Sequence, residues 1–137
     1  MDREKADAVI NGFFSQNPEL FDVTTVAGSY RRGKKSGLHD VDFLIVDEGM
    51  HGRRIRQEIE GEPVDLVYTS KSSFGPALLY LTGSKFFNIR TRVQANNLGC
   101  KLNQYGLFEK EDARMDDNTE EGILELLKMW REPEDRT

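Results

Sequence analysis

The stretch Asp40-Val41-Asp42-Phe43-Leu44-Ile45-Val46 constrains the fold most, because two carboxylates lead directly into an uninterrupted apolar run. A strand with one wet face alternates along its whole length, whereas a continuous apolar run marks a strand covered on both faces. Residues 40–47 are therefore predicted to be a central strand with a polar start. Taken with the strands and helices predicted below, the chain is expected to be an α/β protein: a small mixed sheet with helices, followed by a mostly helical lobe. Side chains at i and i+2 of a strand leave the same face, so Asp40 and Asp42 point together.

A second strand is predicted over 63–70, PVDLVYTS, and it carries Asp65 between apolar neighbours. If the two strands pair with Asp65 beside Asp40 and Asp42, three carboxylates converge. Two unit charges 4 Å apart repel by about 4 kcal/mol at an effective dielectric near 20. A divalent cation relieves that repulsion, and oxygen-only ligands suit Mg²⁺ or Mn²⁺. Two such ions roughly 3.5–4 Å apart can clamp an in-line displacement. The plain alternative is that strand-end aspartates are solvated or cap turns.

The residues before Asp40 weigh on that choice. GSYRRGKKSGLHD, residues 28–40, gathers Arg31, Arg32, Lys34, Lys35 and His39 and is interrupted by glycines. Glycine frees backbone N–H groups to cradle phosphate, Ser29 can donate a hydrogen bond, and Arg32 can grip phosphate oxygens bidentately. Arg31 and Lys35 are expected to face water. The chain as a whole carries a net charge of −5, so a polyanion would meet one basic face rather than a basic protein.

Around this centre, residues 3–15 are predicted to be a helix with Ala6, Val9, Ile10, Phe13 and Phe14 on one face. Residues 21–28 are β-branched and predicted to be a strand. Residues 48–63 are expected to form a short, glycine-bounded connection with room for one helical turn. Helices are predicted from Ser72 or Ser73 to Gly83 and over 84–97, with Ser84 as N-cap and Gly99 past the end. CKLNQYGLF is predicted to be a short strand pair or turn, and EKEDARMDDN a solvated loop. A last helix follows Thr119, which caps it alone, with Leu126, Leu127 and Trp130 in its core. Of Phe86 and Phe87, at least one is expected in the core. His51 is expected in water, and Cys100 as a small buried or half-buried side chain rather than a nucleophile. GRRIR, 52–56, fits either a DNA-backbone contact or an ordinary exposed turn. With no apolar run near the ~20 residues a membrane helix needs, and one cysteine, a membrane-free, intracellular protein is expected, nuclear or cytoplasmic, with viral origin open.

GSYRRGKKSGLHDVDFLIV resembles the nucleotidyltransferase signature of family X DNA polymerases, the polymerase beta group. HDVDFLI is closest to the polymerase mu and terminal transferase branch. VDLVY and FGPALLYLTGSKFFNIRTR are similar to the family's palm-to-thumb junction, KLNQYGLF to the thumb of minimal viral members, and REPEDR to the family's usual ending. The resemblance implies a nucleotidyltransferase palm over 1–81 and a thumb over 82–137. It implies a DNA polymerase that adds deoxynucleotides to a primer 3′-hydroxyl with two Mg²⁺ ions, for which Mn²⁺ can substitute. DNA, as primer-template or gapped duplex, and a deoxynucleoside triphosphate would be its partners, with DNA repair or gap filling as the setting and a monomer as the working form.

Residue by residue, Asp40, Asp42 and Asp65 match the catalytic, metal-binding aspartates, and Asp65 would deprotonate or orient the 3′-hydroxyl. Gly28, Ser29, Arg32, Gly37 and His39 match the triphosphate-binding stretch. Tyr80 and Gly83 match the segment beside the incoming sugar, and Asn88 a contact to that nucleotide's minor-groove edge. Arg92 matches a residue near the templating base, and Lys85 joins it as a DNA-binding position. Against the family pattern, Leu38 is an extra residue in the loop before Asp40, and the link between Asp42 and Asp65 is much shorter. No helix-hairpin-helix glycine pattern precedes residue 20, so lyase activity is not expected. The competing readings are a nucleotidyltransferase with an RNA or small-molecule acceptor, and a non-catalytic DNA-binding relative.

Overall fold

The protein was analysed as a computed structural model that describes residues 1–109 and 113–137. Helix α1, Arg3–Gln16, starts at Asp2, whose side chain accepts a hydrogen bond from the Lys5 amide. Its apolar stripe buries Ala6, Val9 and Phe13, with Ile10 and Phe14 at the margin. The stripe covers one face of a sheet built from β1, Thr24–Val26, β2, Val41–Val46, β3, Arg54–Ile59, and β4, Glu62–Thr69. Strand order is β1-β2-β4-β3, with β2 and β4 parallel and both outer pairs antiparallel. The mixed sheet is the expected one.

The β2 sequence explains its central place. Val41, Phe43 and Ile45 pack under α1, while Leu44 turns to the opposite face against Ala27, Ala77 and Leu78. That second face is closed by the short helix α2, Gly28–Arg31, and by α3, Phe74–Thr82. Beyond it stands a separate apolar cluster of Leu79, Phe87, Ala95, Leu107, Ile123, Leu124 and Leu127. These come from α3, from α4, Lys85–Asn97, from β6, Gly106–Phe108, which forms a hairpin with β5, Lys101–Asn103, and from α5, Glu120–Leu126, with Leu127 just past its end. Ser84 caps α4 through the Phe87 amide, and Thr119 caps α5 through the Gly122 amide. No helix among the described residues is long and apolar enough to cross a membrane.

Four expectations change, and the extra loop residue finds a structural place. Residues 18–23 form a 3-10 turn, with Pro18 at its start, so the first strand is only three residues long. The supposed connection 48–63 contains strand β3, joined to β4 by a two-residue turn at Glu60 and Gly61, both with positive φ. Leu38, the extra loop residue, is buried in the α1–sheet core and anchors its loop there. Leu126 and Trp130 are half-exposed; of that trio only Leu127, just past the end of α5 at Leu126, reaches the core. Within the acidic run, residues 110–112 lie outside the described residues. Asp116 is no solvated loop residue: its covered carboxylate accepts from the Leu107 and Asn118 amides and pairs with Arg114.

Phe87 is buried and Phe86 exposed, as one of the pair was expected to be. His51 is exposed, touching the Tyr105 ring edge-on, and Cys100 is half-buried.

Candidate active site

Parallel pairing of β2 and β4 sets Asp42 directly opposite Asp65, and Asp40 precedes β2 by one residue. One oxygen from each of the three carboxylates lies within 4.8 Å of the others. Asp65 is buried, and Asp40 and Asp42 are half-buried. The convergence follows from strand geometry alone: same-face spacing on β2, and an in-register neighbour on β4.

The cluster is electrostatically loaded. Burial, then repulsion from Asp40 and from Asp65, pushes the Asp42 carboxyl from 3.8 up to about 7, while Arg54 and Arg32 draw it partly back. A folded-state value above the unfolded one gives stability that is complete below pH 4 and lost as pH rises through about 7. At pH 8 the ionised Asp42 then costs the ion-free fold up to about 4 kcal/mol. Asp42→Asn is therefore expected to stabilise the protein in chelator at pH 8 and to make little difference at pH 4. Denaturant unfolding at the two pH values checks this; an equal effect at both would remove the electrostatic account. Among the described residues, no hydrogen-bond donor offsets the burial of the Asp42 carboxylate, although its backbone carbonyl accepts from the Ala27 amide. An oxygen-only trio with one unassisted carboxylate fits Mg²⁺ or Mn²⁺, which Asp40, Asp42 and Asp65 would hold.

The aspartates border a cleft of about 540 Å³. Gly28, Ser29, Arg32, Gly37 and His39 line it from one side, and Tyr80, Gly83, Lys85, Asn88 and Arg92 from the other. Two segments nearly forty residues apart in sequence thus share one opening, and every nucleotide- or DNA-binding position proposed from the sequence borders it. Asp65 lies beneath rather than in the lining. Gly28 is required there: its φ is +63°, and a Cβ would stand 2.0 Å from an Asp42 oxygen. The Arg32 guanidinium donates to the Thr82 carbonyl at 2.6 Å, tying the glycine loop to the end of α3. Its pKa is lowered by burial, with Asp42 opposing the shift. Asn88 donates to the Tyr80 carbonyl at 2.8 Å, and the Arg92 guanidinium sits 4.9 Å from the centre of the Tyr80 ring.

Three arginines carry parts that the sequence reading missed. Arg54 and Arg56 extend from β3 onto Asp65, at 2.7 and 2.9 Å, and Arg56 reaches Asp40 at 3.5 Å. Arg54 also lines the cleft, as do Lys34, Leu81 and Ile89. The signal was present in Ile59-Glu60-Gly61-Glu62, an X-Gly hairpin turn that would have paired the arginine run with Asp65. Arg31, expected in water, instead grips Glu120 bidentately at 2.7 Å through both nitrogens and donates to the Thr82 hydroxyl. Lys35 is exposed as expected.

The lining offers Arg32, Lys34, Arg54, Lys85 and Arg92 against Asp40 and Asp42, a balance suited to a polyanion carrying its own counterions. Residues 77–137, from the middle of α3 to the C-terminus, match the family model described as the DNA polymerase beta thumb. That match supports a family X-like polymerase relationship for the chain.

Proposed function

We propose that this chain is a minimal DNA polymerase that extends a primer 3′-end with deoxynucleotides in gap filling, with residues 1–81 as palm and 82–137 as thumb. Polymerase-like DNA binding rests on the thumb match. The observation that carries the catalytic reading is a conjunction: three carboxylates within 4.8 Å of one another border a cationic cleft whose other wall belongs to the thumb-like segment.

Divalent ions held by Asp40, Asp42 and Asp65 would supply charge neutralisation around the transferring phosphoryl group. The chain's own residues bind and orient. Ser29 and Arg32 take the β- and γ-phosphates, with the Gly28 and Gly37 segments and His39 around them. Tyr80 and Gly83 sit beside the incoming sugar, Asn88 holds the minor-groove edge of the incoming base, and Lys85 and Arg92 meet the DNA. Asp65 orients the 3′-hydroxyl and takes up its proton. The hydroxyl oxygen bonds to the α-phosphorus, the bond from that phosphorus to the β-phosphate bridge breaks, and pyrophosphate leaves. Little covalent work falls to the protein; positioning and fixed charge do most of it.

The test is extension of a labelled primer on gapped duplex, on single-stranded DNA and on an RNA primer, with Mg²⁺ and Mn²⁺ compared. Extension of the DNA primer, fastest on the gap and abolished by chelator, is expected. Extension confined to RNA would assign a different acceptor. DNA retention without extension under any metal would assign a binding protein.

A further inference from the structure

Both oxygens of Asp65 are already engaged. Arg54 holds Oδ2 at 2.7 Å and Arg56 holds Oδ1 at 2.9 Å, with Arg56 directly opposite Asp65 across the β3–β4 ladder. The partners differ sharply in exposure: Asp65 is 2% exposed, and the arginine side chains are 57% and 58% exposed. These are the same carboxylate oxygens that a cation would need. Two guanidiniums and a divalent ion carry like charge, so they compete for Asp65 rather than share it. β3 is an edge strand, so its arginines can swing outward without breaking the sheet. Guanidinium matches phosphate in the same two-pronged way that it matches carboxylate.

We propose that Arg54 and Arg56 form a phosphate-operated clamp on Asp65: a phosphodiester of a bound nucleic-acid strand draws both guanidiniums off the carboxylate and opens it to a divalent cation. This rests on the reading that the trio holds divalent ions and that the chain binds DNA. Binding of DNA and of cation are then positively coupled, and each raises the affinity of the other by the same factor. Ion-free Asp65 is kept neutralised until a strand arrives, which explains why the arginines stand on an exposed edge beside the cleft.

The test measures Mn²⁺ binding by electron paramagnetic resonance without triphosphate, in the presence and absence of a gapped duplex. About tenfold tighter Mn²⁺ binding with DNA is expected, within the usual range of such coupling. The reciprocal gain in DNA affinity on adding Mn²⁺ needs no variant and must agree. In Arg54→Gln/Arg56→Gln, Mn²⁺ binding without DNA should already approach the DNA-bound value, and the coupling should vanish. Equal Mn²⁺ affinity with and without DNA overturns the clamp, as does coupling that survives the double substitution. If only a non-hydrolysable deoxynucleoside triphosphate tightens Mn²⁺ binding, the nucleic-acid strand is not the trigger and the proposal fails. A protein that extends primers but shows no coupling defeats the clamp alone. One that shows arginine-dependent coupling but no extension defeats the polymerase reading alone.

Discussion

Asp65→Ala is expected to lower the rate of nucleotide incorporation by at least about 10³-fold, corresponding to several kcal/mol of lost charge stabilisation, while DNA retention stays close to wild type. Asp65 is the buried member of the trio and the only one on β4. Its loss leaves Asp40 and Asp42, at the start of β2, on one side, unable to enclose a cation from both sides. It does not leave a buried charge unpaired, because Arg54 and Arg56 are more than half exposed and can turn to water. The released arginines remain free to meet phosphate, so retention on DNA should not fall. Asp65→Asn keeps the shape and one acceptor oxygen but loses the charge, and it should be almost as inactive. Single-turnover extension, set beside a gel-shift titration, separates chemistry from binding. Incorporation surviving in both variants would mean that the carboxylate trio is not the reaction centre.

The parts of this site that were legible in the sequence share one property: they follow from local periodicity. Asp40 and Asp42 must share a face because strands alternate, and Phe43–Val46 must be central because nothing in it tolerates water. Position 65 was legible only as a residue in another strand; its register opposite Asp42 depends on pairing between segments more than twenty residues apart. Strand β3 escaped because its burial follows an edge strand: Arg54, Arg56, Gln57 and Glu58 are exposed, leaving Ile55 and Ile59 as a sparse apolar signal. The arginines that made it look like a loop are the ones that neutralise Asp65. The cations that balance a buried carboxylate thus hid the strand that carries them, because charged side chains dilute the strand pattern. The cleft as a whole, with residues 28–42 facing residues 80–92, followed from family resemblance and not from composition or spacing.

Glu120→Ala is expected to destabilise the fold by about 3–5 kcal/mol, the usual cost of breaking a buried charge cluster from one side, and to lower the melting temperature by roughly 10–15 °C. Glu120 is 8% exposed and lies between two cations that no local pattern links to it. Arg31 comes from α2 in the sheet-bearing half, 89 residues away, and Arg136 comes from the chain's end. Arg136 is fully buried, donates to the Arg131 carbonyl, and lies within 6 Å of the Phe87 and Trp130 ring centres. Its remaining nitrogen has no hydrogen-bond partner among the described residues, so Glu120 is its main compensation. Removing the carboxylate strands that guanidinium in an apolar site, whereas half-buried Arg31 can recover water. The two arginines should therefore behave differently as second substitutions: Arg136→Met should restore much of the stability lost in Glu120→Ala, and Arg31→Met should restore little. Chemical denaturation of the two double variants decides it. Equal rescue by both, or a loss below about 1 kcal/mol in Glu120→Ala, would show the cluster to be a surface ion pair rather than the joint between the helical lobe and the glycine loop. That joint bears on chemistry as well, because Arg31 adjoins Arg32 and both are fastened to Thr82 at the end of α3. On the function proposed above, loosening it should weaken triphosphate binding before it weakens DNA binding, since that reading assigns only the triphosphate to the glycine loop.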